Sequence, residues 1–360
     1  MKRSYGYHSY HGRGRGRAAR ITLIIIAVLL LLLILTFLFL SRYLVYTDNG
    51  VRLDLPFFEE QEPQTPADPG LVVESPEPSD DVAEPFKAYR ALLLPIAALT
   101  DGTAEESLAA AGANVAVFDM KTDEGMLGYV SAQQDAVNAE ASQSDPVLNA
   151  AITTGNGRDN LYTVARISCF RDLQVSSNRL SYSILSTNGY RWRDPDRIRW
   201  LSPMSTGAVD YVLGVIDELC KLGFDEILLD HCSFPTGEGI DTIAPGENYP
   251  ADPAEREQAV RAFLEQAKAV VAPYGVKLSI RTTGAALSGG EAETSGLTPS
   301  ILLDNADGLW VDETEIAAGI AYVSDGDRSG AEERLVPVWT GDTAPDPEAN
   351  WAILDEKKNG

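Results

Sequence analysis

The longest apolar segment of the chain is residues 21–40, which contains no charged side chain. At the rise of an α-helix, about 20 residues span the roughly 30 Å hydrocarbon core of a bilayer. The segment therefore predicts a transmembrane helix over residues 21–42. The preceding arm, residues 1–20, carries basic and no acidic side chains, and the positive-inside rule keeps such an arm in the cytoplasm. The rest of the chain is predicted to be extracellular.

A cleaved signal peptide is the alternative. Its apolar region would be about 7–15 residues long and would end at a small-x-small cleavage site. The run in this chain is longer, and residues 41–45 that follow it contain no Ala-x-Ala sequence. The pattern favours an uncleaved signal-anchor and a single-pass protein of the cell membrane.

Residues 43–86 are rich in proline and acidic side chains, above all at 59–69 and 74–81. Such a sequence cannot bury enough apolar area to fold, and proline with like charges keeps it extended. We therefore predict four parts: a cytoplasmic arm (1–20), a transmembrane helix (21–42), a stalk (43–86) and a folded domain (87–360).

From residue 87 onward, short apolar runs alternate with stretches of helical periodicity. Helices are predicted over 104–111, 206–222 and 253–272. Seven strands are predicted over 89–94, 114–119, 161–170, 226–230, 276–281, 308–312 and 335–339, with an eighth at 351–354.

Strands that alternate with helices form a parallel sheet, either a closed (β/α)8 TIM barrel or an open doubly wound sheet. No Gly-x-Gly-x-x-Gly sequence follows the first strand, so a dinucleotide site has no support. About 270 residues with seven or eight strands fit one barrel. Too few residues separate the last two strands for a helix, so the last unit is predicted to be abbreviated.

The charge of the chain restricts the classes of molecule that it can bind. It has 29 basic and 53 acidic residues. The 22 basic and 53 acidic residues beyond position 42 give that part a net charge of −31. This charge argues against nucleic acid as a partner and would repel other anionic polymers. Solubility alone also accounts for an acidic surface.

Cysteine and histidine are scarce. Cys169, Cys220 and Cys232 lie in apolar stretches and match no zinc motif, which predicts buried thiols, although one disulfide among them stays open. The domain contains a single histidine, His231, which disfavours a Ser-His-Asp triad or a histidine-rich metal site. No metal or other cofactor is predicted.

In a barrel, function collects at the carboxyl ends of the strands. Ile227 and Leu229 suit the side that faces the helices, so alternation turns Asp230 toward the barrel interior at its rim. Glycoside hydrolysis needs two carboxyl groups, one that protonates the leaving oxygen and one that acts as nucleophile or base. The candidate catalytic residues at strand ends are Asp119, Asp230, Asp312 and Glu313.

Each candidate has a simpler explanation. Asp119 and Lys121 share one side of their strand, where they could form a structural ion pair, and Asp312 and Glu313 could be solvated loop acids. Asp230 would have a raised pKa, as a general acid requires, unless Arg166 or Lys121 lies close enough to hold it ionised as a nucleophile.

Cationic and aromatic side chains near the same rim are candidates for substrate binding. Flat tryptophan faces suit sugar stacking, although tryptophan is as often a packing residue. The candidates are Lys121, Arg166, Trp192, Arg281, Trp310 and Trp339.

Several of these segments resemble a family of bacterial glycoside hydrolase-like TIM-barrel domains, which are often membrane-anchored. The resemblance covers about residues 88–285 and continues weakly to 340. It is most specific at residues 230–235, where Asp230, Phe234 and Pro235 match, while His231 replaces a usual Tyr and Ser233 a usual Arg. The strand that ends at 312 also departs from the family pattern. The segments that match are 117–121, 164–167, 170–172, 192–194, 223–227 and 230–235.

The resemblance implies a carbohydrate substrate or ligand. Together, the sequence patterns and the resemblance predict a membrane-tethered extracellular glycoside hydrolase that acts on a carbohydrate such as a cell-envelope glycan. Asp230 is its leading candidate carboxylate. A non-catalytic glycan-binding or scaffolding module with a degenerate barrel site is the alternative.

Overall fold

A computed structural model of the chain describes residues 44–47, 50–53, 88–321, 331–341 and 345–354. The predicted transmembrane segment, 21–42, lies outside these residues. No helix within them combines the length and the apolar character that crossing a membrane requires. In the predicted stalk, strands β1 (Leu44–Thr47) and β2 (Gly50–Leu53) form an antiparallel pair, which belongs to a compact unit separate from the folded domain.

The folded domain is a closed barrel of eight parallel strands, in the order β10-β3-β4-β5-β6-β7-β8-β9. Closure confirms the predicted (β/α)8 class and excludes the open doubly wound sheet. The barrel strands are β3 (Arg90–Leu93), β4 (Val115–Lys121), β5 (Tyr162–Ser168), β6 (Glu226–Asp230), β7 (Lys277–Arg281), β8 (Gly308–Asp312), β9 (Leu335–Val338) and β10 (Trp351–Ile353).

The last unit is abbreviated, as predicted. Strand β10 has three residues, and the residues described between β9 and β10 contain no helix. All three residues of β10 pair with β3, and Ala352 pairs with Val338 of β9, so this short strand closes the barrel.

Helices surround the barrel and form the long connections at its carboxyl end. The helices described are α1 (Ile96–Asp101), α2 (Ala104–Ala111), α3 (Gln134–Asn138), α4 (Leu148–Asn156), α5 (Leu173–Asn178), α6 (Thr206–Lys221), α7 (Pro253–Val271), α8 (Gly284–Leu287), α9 (Ala292–Ser295), α10 (Pro299–Asn305) and α11 (Glu313–Ile320), with 3₁₀ turns at Leu180–Tyr182, Ile240–Thr242 and Ala272–Tyr274.

Helix α6 illustrates why the sequence folds this way. The side chain of Ser205 accepts a hydrogen bond from the amide of Ala208 and caps the first turn. Five apolar residues at helical spacing are buried, Val209, Val212, Val215, Ile216 and Leu219, and burial of each such side chain contributes roughly 1.5–3 kcal/mol. Gly223 ends the helix because its φ of +87° is one that side-chain-bearing residues rarely adopt.

Alternation along the strands divides the core in two. Ile227 and Leu229 belong to the large cluster between barrel and helices. Leu228, Val164 and Trp310 belong to a smaller cluster inside the barrel. A residue two positions after an interior residue also faces the interior, which places Asp230 on the inner side of the rim as predicted.

Candidate active site

One ionisable side chain reaches the inner rim from each of five consecutive strands, β4 to β8. In strand order they are Asp119, Arg166, Asp230, Arg281 and Asp312, so acidic and basic groups alternate around half of the barrel mouth. We call these five residues the rim network. Each was a candidate from the sequence.

The rim network is linked by direct contacts. Arg166 donates to an oxygen of Asp119 at 2.7 Å, and to one oxygen of Asp230 through two nitrogens at 3.0 and 2.7 Å. Arg281 makes longer contacts, 3.4 Å to the same Asp230 oxygen and 3.5 Å to Asp312. The strand order therefore produces a continuous chain of alternating acidic and basic side chains.

Asp230 is ionised in this setting. Burial would raise the pKa of its carboxyl group, but the charges of His231, Arg166 and Arg281 and the hydrogen bond from Arg166 outweigh burial and hold the pKa well below its usual range. We expected Asp230 to be held ionised, and not to act as a general acid, if Arg166 lay close to it. Arg166 does contact Asp230. Asp230 is therefore suited to act as a nucleophile or base.

Arg166 holds its charge for the same reason. Burial would lower its pKa, but Asp230, Asp119 and Asp123 raise it above its ordinary value. Its side chain is 9 % exposed, so its charge is compensated by these aspartates more than by water.

Asp230 and Asp312 flank one guanidinium group. Their oxygen atoms lie 3.4 and 3.5 Å from the two terminal nitrogens of Arg281. Given the width of a guanidinium, those oxygens are at most about 9 Å apart. Carboxyl pairs of glycoside hydrolases are separated by roughly 5–9.5 Å, and the bound is compatible with that range.

Asp123, in the loop after β4, was missed by sequence reasoning. Its two oxygens accept from Arg166 at 3.1 Å and from Arg171 at 2.7 Å. Burial raises its pKa, but the charges of Arg166, His231 and Arg171 lower it further, so the net shift is downward. Nothing in the strand pattern marks a loop residue of this kind.

Arg171 belongs to one of the matched motifs and organises the loop after β5. It donates to Asp194 and to Asp196, each at 2.7 Å, besides Asp123. Asp194 also accepts from the indole nitrogen of Trp200 at 3.1 Å. These motif residues therefore position the loop beside the rim network.

His231 follows Asp230 and lines the same cleft. Its backbone has φ of +49°, and its Nδ1 lies 3.3 Å from both Ser168 Oγ and an oxygen of Asp230. Its ring meets Trp200 edge to face. Burial lowers its pKa, although Asp230 and Asp123 raise it, so the net shift favours the neutral imidazole.

The predicted pair of Asp119 with Lys121 is wrong. The pairing with β5 shifts between these two residues, which turns Lys121 away from the interior. Lys121 instead pairs with Asp172 at 2.9 Å, and both side chains are 0 % exposed. Its ammonium also donates to the carbonyl of Ser168. Lys121 therefore cannot contact a ligand in the cleft and is removed from the substrate-binding set.

Two of the three predicted tryptophan contacts are packing residues. Trp310 is fully buried inside the barrel, where its ring meets Tyr89 edge to face. Trp192 is also buried, and its indole nitrogen donates to Gly239 and Thr242. Trp339, after β9, is partly exposed, but it is not among the described residues that line the cleft.

Glu313 is also held away from the cleft. Its carboxylate accepts from the backbone amide of Thr340 at 2.9 Å and from the Thr340 hydroxyl at 2.8 Å. It is absent from the described residues that line the cleft. Of the predicted catalytic partners, Asp312 is the one that shares the cleft with Asp230.

The cleft over the rim network has a volume of about 370 Å³. Besides Asp123, it contains two acidic residues that sequence reasoning missed, Glu291 and Glu315. Glu291 occupies the N-cap position of the short helix α9 in the connection after β7, and Glu315 lies in α11 after β8, so neither is at a strand end, where function was expected. Among the described residues, no group of three His, Cys, Asp or Glu side chains is arranged to hold a metal ion.

The three cysteines are buried free thiols, as predicted, and no two of them form a disulfide. Burial raises the pKa of Cys220 and of Cys232 to about 12. Such thiols are protonated at neutral pH and poorly nucleophilic.

The chain belongs to the family described as "putative glycosyl hydrolase domain", whose sequence profile matches residues 104–307, more than half of the chain. The match runs from α2 to the residues just before β8, and so includes Arg166, Asp230 and Arg281. No curated protein matches the chain.

Solved structures resemble the barrel. The PgaB (BpsB) glycoside hydrolase domain from Bordetella bronchiseptica is 12% identical, with a TM-score of 0.53 over 75% of this chain and 95% of that one. This likeness shows a shared fold. A hypothetical protein from Ruminiclostridium thermocellum ATCC 27405 is 26% identical, with a TM-score of 0.44 over 52% of this chain and 96% of its own.

Proposed function

We propose that this protein is a membrane-anchored glycoside hydrolase whose barrel acts outside the cell on a carbohydrate such as a cell-envelope glycan. Family membership supports the reaction class. The observation that carries the proposal is the rim network, in which Asp230 is kept ionised and faces Asp312 across Arg281. The basic arm and residues 21–42 support the anchor.

In the proposed mechanism, Asp312 donates a proton to the glycosidic oxygen as the bond to the anomeric carbon breaks. Asp230 acts at that carbon, either directly as nucleophile or through a water molecule as base. One water molecule is consumed, and Asp312 regains its proton. Arg166 and Arg281 stabilise the negative charge of Asp230 in the resting site.

The test is a panel of glycans incubated with the full-length protein in mild detergent and measured for both binding and cleavage. Asp230→Asn keeps the shape of the side chain but removes its charge. We expect cleavage to fall by about 10³-fold or more, as for the loss of a nucleophile or an acid/base group. Asp312→Asn should lower cleavage by a comparable factor.

The matched control is Glu313→Asn, an adjacent carboxylate bonded to Thr340 outside the cleft, which should retain cleavage. Each variant is checked for folding by thermal melting. Equal cleavage by wild type and Asp230→Asn would refute the site assignment.

A glycan-binding module is the second candidate function. The replacement of a usual Tyr by His231 and a usual Arg by Ser233, both in the cleft, favours it. Wild-type protein that binds a glycan of the panel and cleaves none would establish this alternative.

A further inference from the structure

The imidazole of His231 is bound to the protein through one of its two nitrogens. Nδ1 lies 3.3 Å from an oxygen of Asp230, 3.6 Å from an oxygen of Asp123 and 3.3 Å from Ser168 Oγ. The Ser168 hydroxyl donates its one proton to the carbonyl of Arg171 at 3.0 Å, so its oxygen accepts from Nδ1. All three neighbours of Nδ1 are therefore acceptors.

These acceptors determine where the neutral ring carries its proton. Burial raises the pKa of both Asp230 and Asp123, but nearby charges lower it further, so both are ionised. The ring itself is neutral, because burial and the cations Arg166 and Arg171 lower its pKa more than the two aspartates raise it. A lone pair on Nδ1 would face two carboxylates, whereas a proton there is shared with them. The proton is therefore on Nδ1 and the lone pair on Nε2.

Nε2 has no hydrogen-bond partner among the described residues, and it is not one of their buried polar atoms that lack a partner. The ring lines the cleft and its side chain is 27 % exposed. Nε2 is therefore open to the cleft and offers an acceptor to a bound molecule.

The orientation of this acceptor is fixed. The ring of Trp200 meets the imidazole edge to face, with 5.5 Å between ring centroids. His231 also has a φ of +49°, a conformation that is uncommon outside glycine and that is concentrated at functional sites. The chain thus holds an unpaired acceptor in one place beside Asp230.

We propose that His231 is a substrate-binding residue whose Nε2 accepts a hydrogen bond from a hydroxyl group of the sugar unit bound beside Asp230. The inference rests on the proposed function and adds to it a residue that determines specificity. Arg166 and Arg281, the cations of the cleft, can only donate. A sugar hydroxyl can donate to Nε2, whereas an ether or ester oxygen at that position has no proton to give.

The first test measures the tautomer directly. The chain has three histidines, and the other two, His8 and His11, lie in the arm at residues 1–20. Full-length protein in mild detergent, labelled with ¹⁵N at histidine alone, gives few imidazole signals in an NMR spectrum. Those of His231 are identified by their absence from His231→Gln. At about pH 7.5 we expect a protonated Nδ1 and an unprotonated Nε2.

The probes are β-1,4-linked hexasaccharides of glucose and of N-acetylglucosamine, each added to that sample. At least one of them should move the Nε2 signal of His231 toward the range of protonated nitrogen, as a hydrogen bond to the lone pair requires. The signals of His8 and His11 should not move.

The second test separates binding from the positioning of Asp230. In His231→Asn the amide nitrogen takes the place of Nδ1, and asparagine tolerates the positive φ. In His231→Gln the amide oxygen takes the place of Nε2. We expect affinity for the hexasaccharide that binds to fall about three- to tenfold in His231→Asn and less in His231→Gln. A residue that only orients Asp230 would give the reverse order. Thermal melting checks that both variants fold.

Three results would overturn the proposal: a protonated Nε2 in the free protein, an Nε2 signal that moves with neither hexasaccharide, or a His231→Gln variant that binds no more tightly than His231→Asn. Failure of the hydrolase function is distinguishable from these. A shifted Nε2 signal in a protein that cleaves no glycan of the panel would retain the contact and refute hydrolysis. Cleavage that is lost in Asp230→Asn, together with a protonated Nε2, would retain the hydrolase and refute the contact.

Discussion

At the scale of single residues, Asp230 gains its chemistry from its neighbours. Its folded-state pKa is depressed below the ordinary value of 3.8. The resulting contribution to stability is fully present above pH 3.8 and is lost as the pH falls below that value toward the folded pKa. At neutral pH Asp230 is therefore ionised, and its contacts with Arg166 and Arg281 stabilise the folded domain.

Lys121, unlike Asp230, uses its charge in the interior of the domain and not in the cleft. Its ion pair with Asp172 is completely buried. Removing one partner of such a pair leaves an uncompensated charge in the interior, at a cost of about 3–5 kcal/mol. We expect Lys121→Met to lower the free energy of unfolding by that amount, measured by chemical denaturation.

A surface pair provides the control. Lys221 and Asp217 form an exposed i,i+4 pair, so Lys221→Met should cost at most about 1 kcal/mol. The double variant Lys121→Met/Asp172→Asn should recover part of the loss, because asparagine can still cap α5 at Val175. A single Lys121→Met variant as stable as Lys221→Met would contradict this account.

At the scale of elements, strand alternation predicted the rim network correctly wherever the ladder is regular. It placed Asp230 inward because Ile227 and Leu229 face the helices. It failed between Asp119 and Lys121, where the register shifts, because an irregularity of one residue reverses the side that a side chain faces. A bulge has no clear sequence signal here.

The acidic residues in the connections between strands could not be predicted from the sequence, for a different reason. Asp123, Glu291 and Glu315 lie outside the strands, so the alternation along the strands does not locate them. Tryptophans were ambiguous because stacking and packing use the same side chain: Trp310 and Trp192 are buried. Contacts between segments distant in the chain decide both questions.

The amino end of the barrel contains a buried acid, Glu226 on β6. It accepts hydrogen bonds from Tyr89 at 2.8 Å and Tyr162 at 3.0 Å, which joins three parts of the barrel. Burial raises its pKa, although hydrogen bonds with Ser279, Tyr89 and Tyr162 lower it, so the net shift is upward. The folded state therefore favours the protonated form.

The raised pKa of Glu226 determines the direction in which the stability of the domain changes with pH. Stability from Glu226 is fully present below the unfolded pKa of 4.5 and is lost as the pH rises through the higher folded pKa. Glu226→Gln mimics the protonated acid. Its melting temperature should therefore improve relative to wild type as the pH is raised from about 4 to about 8, whereas exposed Glu265→Gln should show no such trend. A pH-independent difference for Glu226→Gln would reject this assignment.

At the scale of the whole molecule, the fold class followed from length and alternation, and a three-residue strand completes the barrel. A strand this short carries little pattern of its own. Its partners on β3 and β9 determine its place, which is why the sequence predicted it only as an optional eighth strand.

The anchor is the remaining prediction at this scale, because residues 21–42 lie outside the described part of the chain. Residues 21–40 carry no charge, and the arm before them is basic. Transfer of so long an apolar run into hydrocarbon is strongly favourable, whereas a single arginine at its centre costs about 2.5–3.5 kcal/mol. We expect the full-length protein to stay in the membrane fraction through high-salt and alkaline washes, with its C-terminus accessible from outside the cell.

The variant Leu30→Arg/Leu33→Arg tests the cause, because two charges near the centre of the run oppose insertion. It should leave the membrane fraction on alkaline washing, while Leu30→Ala/Leu33→Ala, which stays uncharged, should remain. A wild-type protein released as a shorter soluble form cut near residue 42 would instead identify a cleaved signal peptide. The barrel would then act free of the membrane, and the predicted stalk would not serve as a spacer between membrane and barrel.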